Sequence, residues 1–347
     1  MQEKVNQHIS ATPILQDDFS RTISYLRLSL TDRCNLRCLY CMTEGQAHDS
    51  FIPLKHSDLF SYEELIRVVR LAVELGINKV RLTGGEPLTR RNVMYLVRQL
   101  AGIEGLHDIR ITTNGVLLAK YADELYEAGV RKVNVSLDTL KRERFKIISG
   151  RDYFNEVWQG IEKVLAMGFS PVKLNMVVMR GINDDELLDF ARLSMEKELH
   201  VRFIEFMPIG TASRWREETF VSSDEIIERI STMGTLRPEP VPVSDGPAKL
   251  YRLNDGRGCI GMISPLSHHF CKNCNRLRLT ADGKLRPCLL SDEEIDLREI
   301  VRSGGTDDDI RSVIETAVRK KPVGHHLADR QKGIVQDCNG WMSRIGG

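Results

Sequence analysis

The sequence predicts an α/β protein: an incomplete barrel of six strands with a polar interior. Two observations carry this. From about residue 24 onward, strand and helix patterns alternate, which argues for a parallel sheet with crossover helices. Within the strands, apolar and polar residues also alternate, whereas parallel strands covered on both faces normally read as apolar runs. The apolar face must meet the helices and the polar face then lines an interior. That suits a partial barrel with a wet, partly basic lumen rather than the packed centre of a closed eight-stranded one. A half-solvated open sheet is the alternative, and the recurrence of polar residues on strand after strand argues against it.

Candidate strands cover 25–31, 79–84, 109–113, 132–138, 172–179 and 200–207. In the first, Leu26, Leu28 and Leu30 share one face, and Tyr25, Arg27 and Ser29 the other. The second sets Val80 and Leu82 against Lys79, Arg81 and Thr83. The fourth sets Val133, Val135 and Leu137 against Lys132, Asn134, Ser136 and Asp138, and the fifth Leu174 and Met176 against Lys173 and Asn175. Between them, Ser61-x-x-Glu64 reads as a capping box opening a helix with Leu65, Val68, Val69, Ala72 and Val73 on one side. Similar patterns span 90–101, 117–129, 155–167 and 184–197, and Ser222-x-x-Glu225 opens another. Residues 1–20 are polar and aperiodic and read as a mobile N-terminal arm, 21–237 as the barrel, and 238–347 as a C-terminal unit. The latter opens on a Pro-rich linker at 238–247 and continues in short β patterns with Asp-Gly turns, then two helices.

Composition narrows the function. The chain has 347 residues, 41% hydrophobic and 28% charged, with a formal net charge of +1. Near-neutrality gives no bulk attraction to nucleic acid or an anionic membrane, and no apolar run is long enough for a membrane span. The N-terminus lacks an apolar signal core, so the protein is expected in the cytoplasm, where thiols stay reduced. Six of its eight cysteines fall into two tight groups, which in that setting points to metal rather than disulfides.

The first strand runs directly into Cys34-x3-Cys38-x2-Cys41. Three thiolates at this spacing can hold a cubane iron–sulfur cluster with one iron open to an outside ligand. A closed zinc site needs a fourth ligand, and His48 is poorly spaced for it. Gly84-Gly85-Glu86-Pro87, Thr112-Thr113-Asn114-Gly115 and Ser136-Leu137-Asp138 end the next three strands, at the barrel edge where such enzymes build their sites. Adjacent glycines let backbone approach a ligand closely. The second group is Cys271-x2-Cys274-x13-Cys288. On spacing alone it stays open between a second cluster and a four-cysteine zinc ribbon completed by Cys259, although Cys259 starts an apolar β pattern where a buried cysteine is ordinary.

Cys34-x3-Cys38-x2-Cys41 with Tyr40 before its last cysteine, together with the Gly-Gly pair, resembles the radical S-adenosylmethionine superfamily. AKLYRL, GMISPLSHHFCKNCNRLRLTADGKLRPCL and the terminal Gly-Gly resemble one family within it, the GTP 3′,8-cyclases of molybdenum cofactor biosynthesis, over roughly residues 21–347. The resemblance implies an incomplete (β/α)6 TIM-type barrel whose open side is closed by a C-terminal cluster-binding segment. It implies two [4Fe–4S] clusters, on Cys34, Cys38 and Cys41 and on Cys271, Cys274 and Cys288, with S-adenosylmethionine on the first and guanine meeting the open iron of the second. Tyr40, Gly85, Ser136 and Met207 would contact S-adenosylmethionine. Arg27, Lys79, Arg81, Thr112, Lys173, Arg202, Arg276, Leu277 and Arg278 would contact GTP, and Arg276, Arg278, Gly346 and Gly347 would serve catalysis. The implied reaction removes hydrogen from C3′ of GTP and joins C3′ to C8, giving 3′,8-cyclo-7,8-dihydro-GTP. An electron donor would feed the clusters, and cyclic pyranopterin monophosphate synthase would take the product from a monomer or homodimer. Thr43 and Thr89 depart from the family pattern in loops. His268, His269, His325 and His326 read as structural rather than metal-binding. The competing readings are another radical enzyme with an auxiliary cluster and a zinc-ribbon RNA-binding or RNA-modifying protein.

Overall fold

The structure, a computed structural model, describes residues 14–41, 52–209, 215–240, 246–325, 338 and 342–346. The six expected strands form, as β1 (Tyr25–Ser29), β2 (Lys79–Thr83), β3 (Asp108–Thr113), β4 (Lys132–Ser136), β5 (Val172–Val178) and β6 (Leu199–Glu205). Helices α1 (Tyr62–Glu74), α2 (Val93–Ala101), α3 (Leu118–Glu127), α5 (Phe154–Ala166) and α6 (Leu187–Glu196) cross between them, and α7 (Ser223–Ser231) follows β6. The capping box of α1 is complete, with Ser61 accepting from the Glu64 amide and Glu64 from that of Ser61. A short helix that periodicity does not announce, α4 (Arg142–Ser149), stands after β4. Its sequence RERFKIIS is mostly charged and buries only Phe145, Ile148 and Ser149.

The C-terminal segment does not stand apart from this sheet. It adds β7 (Leu236–Glu239), β8 (Lys249–Leu253), β9 (Cys259–Ile263), β10 (Arg276–Leu279), β11 (Lys284–Arg286) and β12 (Ile295–Asp296), then α8 (Leu297–Arg302), α9 (Asp307–Arg319) and α10 (Met342–Ile345). One twelve-stranded sheet results, in the order β12-β11-β10-β1-β2-β3-β4-β5-β6-β9-β8-β7. β10 pairs parallel to β1 and β9 parallel to β6, so the segment extends the six-stranded barrel at both edges. The expected linker at 238–247 begins inside β7, where Pro238 and Glu239 pair with β8; Pro is tolerated there because β7 is the edge strand.

Register carries the two-faced pattern across the sheet. Leu26 pairs with Val80 and Leu277, and Val80 with Ile109, on the face that meets the helices; Leu26, Val80 and Leu277 lie in its apolar core. Arg27 pairs with Arg81 and Arg278, and Arg81 with Arg110, on the other. Residues 14–20 differ from the mobile arm the sequence predicts. Leu15 is buried, and Asp17 makes a buried ion pair with Arg21 at 2.5 Å.

Candidate active site

The polar face encloses a cavity of about 310 Å³, and both cysteine triplets line it. The first lies on the loop after β1, and Gly84 and Gly85 at the end of β2 pack against that loop. A β-carbon on Gly84, at φ +140°, would lie 2.4 Å from the Thr31 carbonyl oxygen, and one on Gly85 2.3 Å from that of Arg33. Only hydrogen fits at either position, which is the physical content of the Gly-Gly pair. Glu86 then accepts from the Thr113 hydroxyl at 2.8 Å and the Asn114 amide at 2.7 Å, joining the end of β3 to the same loop. Asn114 in turn donates to Asn35 Oδ1 at 2.7 Å and to Cys34 Sγ at 3.5 Å. Tyr40 donates to Asp138 Oδ2 at 2.8 Å, tying the loop to the end of β4.

Burial shapes the electrostatics here. It raises Glu86 to about 7 and Asp138 to about 6. Burial and the Glu86 carboxylate raise the Cys34 thiol to about 11, and burial with Cys34 raises Cys41 to about 12. The second triplet differs. Burial opposes ionisation of Cys274, but Arg276 and Lys321 outweigh it and bring the thiol to about 6.

Between the triplets the wall is cationic. Arg27, Arg81, Arg202, Arg276 and Arg278 all line the cavity. Arg81 donates to the Tyr25 hydroxyl and, at 3.2 Å, to Thr112. Burial alone would raise Tyr25, yet Arg81, Arg27, Arg110 and Arg276 together lower it to about 8. Burial and the neighbouring arginines Arg27 and Arg276 push Arg278 well below its ordinary range. So dense a set of cations in low dielectric calls for anionic charge, and Arg offers bidentate geometry to phosphate. Asn134 Oδ1 and Asn175 Oδ1, both on the cavity wall, have no hydrogen-bond partner among the described residues. Buried polar atoms are normally satisfied, and a ligand's donors would satisfy these.

The end of the tail reaches the same cavity. Gly346, at φ +76°, accepts from Arg278 Nη1 at 2.5 Å, and a β-carbon there would lie 2.1 Å from Thr83 Oγ1. Met342 lines the cavity and Ile345 is buried.

The site residues expected from sequence therefore divide. Tyr40, Gly85, Ser136, Met207, Arg27, Arg81, Thr112, Arg202, Arg276 and Arg278 line one cavity with the six cysteines. Lys79 and Lys173 are buried beside the wall rather than on it, Lys79 reaching Asp108 at 3.8 Å. Leu277 departs from the set: strand alternation turns its side chain into the apolar core. Gly347, Trp341, Thr43, His48 and His326 lie outside the described residues. Cys259 packs beneath Arg252, away from the cavity, while Cys338 accepts from Arg286 at 3.4 Å. His268 bonds Asp224, and His269 and His325 both reach the Pro265 carbonyl. Each triplet thus offers three sulfurs to the cavity. Cys338 reaches the Leu289 carbonyl at 3.5 Å, next to Cys288, but neither it nor Cys259 lines the cavity, and three thiolates fit a cubane cluster with one open iron.

Comparison with known proteins decides the family. Residues 28–194 match the Radical SAM superfamily, and residues 199–327 match Molybdenum Cofactor Synthesis C. A GTP 3′,8-cyclase of Moorella thermoacetica is 50% identical over 339 residues, covering 96% of this chain and 100% of its own length. The chain belongs to the GTP 3′,8-cyclase family. The cyclase of Thermodesulfovibrio yellowstonii is 49% identical, again over 96% and 100% of the two chains. Among solved structures, Streptococcus suis SuiB bound to S-adenosylmethionine superimposes with a TM-score of 0.60 over 84% of this chain and 69% of that one. At 14% identity this is a likeness of fold alone. Within a GTP 3′,8-cyclase, the structure adds residues to which the sequence reading gave no ligand role: Tyr25, Asn114, Asn134, Asn175 and Lys321. Asn134 and Asn175 already stood on the polar strand face and could have been read from it. Lys321 follows α9, 33 residues after Cys288, and only the fold brings it to the cavity.

Proposed function

We propose that this chain is a radical S-adenosylmethionine lyase that converts GTP to 3′,8-cyclo-7,8-dihydro-GTP, the first step of molybdenum cofactor biosynthesis. The observation that carries the reading is one cavity with a cysteine triplet at each side and a row of arginines between them. Bound on the first triplet, a reduced [4Fe–4S] cluster with S-adenosylmethionine supplies a hydrogen-abstracting radical. The chain's own residues hold and aim the reactants. Cys34, Cys38 and Cys41 hold the first cluster, the Gly84-Gly85 backbone with Tyr40, Ser136 and Met207 surrounds S-adenosylmethionine, and Cys271, Cys274 and Cys288 hold the second cluster. Arg27, Arg81, Arg202, Arg276 and Arg278 clamp the triphosphate, with Thr112 beside Arg81 and with Lys79 and Lys173 behind the wall. A clamped nucleotide presents its ribose to the first site and its base to the second, and such fixed orientation is worth many orders of magnitude in rate. Arg278 and the Gly346–Gly347 tail shape the space around the reacting atoms.

The reaction needs an external electron donor, and the product is taken by cyclic pyranopterin monophosphate synthase. The eight free cysteines suit a reducing cytoplasm, where the chain acts as a monomer or homodimer; no helix among the described residues is long and apolar enough to cross a membrane. The test is separation of the two sites. With dithionite as reductant, Cys34→Ala abolishes 5′-deoxyadenosine. Cys271→Ala loses GTP turnover yet keeps some uncoupled cleavage. Wild-type cleavage by Cys34→Ala would sink the assignment.

A further inference from the structure

We propose that Arg21 and Lys321 form a two-cation clamp that pre-organises the second cysteine triplet for its cluster. The three cysteines lie on two pieces of chain: Cys271 and Cys274 on a short turn before β10, and Cys288 after β11. The antiparallel β10–β11 pairing, with Arg278 opposite Arg286, brings the two pieces near each other, and the two cations fasten their ends. Lys321 is 4% exposed, and its Nζ donates to the Arg276 carbonyl at 2.8 Å and to the Pro287 carbonyl at 2.7 Å. One ammonium thus ties the backbone two residues beyond Cys274 to the residue before Cys288.

Arg21 completes the tie from the other side. Its guanidinium donates to the Cys271 carbonyl at 2.9 Å, to Pro322 at 2.7 Å, to Val323 at 3.3 Å and to Lys321 at 3.4 Å. It is itself held by Asp17, which accepts from Arg21 Nε at 2.5 Å and from the Arg21 amide at 2.9 Å. Arg suits this position because its planar fork serves several carbonyls at once, which Lys cannot do. Every segment bearing a ligand cysteine is therefore fastened to residues 321–323, and residues 17–21 lock that segment in place. Lys321 also lines the cavity with this triplet, so its charge would stand near a cluster held there. Residues behind first-sphere ligands set both metal retention and potential.

The proposal rests on Cys271, Cys274 and Cys288 being the ligands of a second cluster, and the test separates the two claims. In full-length chain with Cys34, Cys38 and Cys41 all replaced by Ala, only the second cluster can be built. Lys321→Met and Arg21→Met are introduced there, reconstituted anaerobically, desalted, and read by iron content and by the cluster's reduction midpoint. Both variants are expected to retain less than half the iron of their parent. Whatever Lys321→Met retains should reduce at a more negative potential, since a positive charge is gone. A parent that binds no iron overturns the cluster assignment and the clamp with it. Parent-like iron retention in either variant overturns the clamp alone. The reciprocal background, with Cys271, Cys274 and Cys288 replaced, guards against misfolding. First-cluster iron should be unchanged there by both substitutions, and its loss would show a general structural role instead.

Discussion

Tyr25 shows how one side chain reports on the charge of the whole cavity. It sits in register between Lys79 on β2 and Arg276 on β10, with the Lys79 ammonium 5.2 Å from its ring centroid. Arg81, Arg27, Arg110 and Arg276 favour its phenolate enough to override burial and place it near 8. A triphosphate bound as proposed would add negative charge among the same cations and so favour the neutral phenol. GTP binding would then take up a proton wherever free Tyr25 is ionised, and linkage fixes the sign: the Tyr25 contribution to affinity is level below pH 8 and falls as pH rises through it, by at most about tenfold per unit. Isothermal titration between pH 7 and 9 reads this directly. Tyr25→Phe should remove most of the fall; an unchanged profile would place the titrating group elsewhere.

Strands and tail show what the sequence could and could not disclose. Alternating Leu and Arg in β1, and Val and Arg in β2, announced a strand with a helix-facing and a lumen-facing side, because side chains alternate strictly along a strand. Arg276-Leu277-Arg278 carries the same alternation in β10, which is why the two arginines reach the cavity and Leu277 does not. That β10 would lie against β1 was not legible, since the pairing spans some 250 residues and no local pattern encodes it. The same holds for the clamp of Lys321, whereas α4 was missed for want of an apolar face. Family likeness alone pointed to the tail, because chain ends are ordinarily frayed. Its geometry gives a sharper expectation: Gly346 sits at φ +76° against Thr83 with its carbonyl held by Arg278. Deleting Gly346 and Gly347 should lower product per turnover roughly 100-fold, the scale of a small misplacement of reacting groups, with both clusters intact and GTP affinity nearly unchanged. Gly346→Ala should fall in the same direction through the Thr83 clash. Full single-turnover yield from the truncated chain would reduce the tail to a loose end.

At the scale of the molecule, the C-terminal segment extends the six-stranded barrel at both edges and, on the proposed reading, makes it a two-ended reaction chamber. Strands β9 and β10 extend its edges, and the second triplet then faces the first across the arginine row. The account requires two cubanes, hence about eight irons per chain after anaerobic reconstitution, and no stoichiometric zinc. Cys259→Ser should keep all of that iron, because Cys259 lies under Arg252 outside the cavity; loss of about four irons would revive the four-cysteine site. The chamber's purpose is tested most directly by the fate of one hydrogen. GTP deuterated at C3′ is incubated with the reconstituted enzyme, S-adenosylmethionine and dithionite, and the 5′-deoxyadenosine is analysed by mass spectrometry beside the nucleotide product. The account predicts one deuterium in 5′-deoxyadenosine for each 3′,8-cyclised nucleotide formed. Deoxyadenosine that carries no deuterium while GTP is consumed would contradict it.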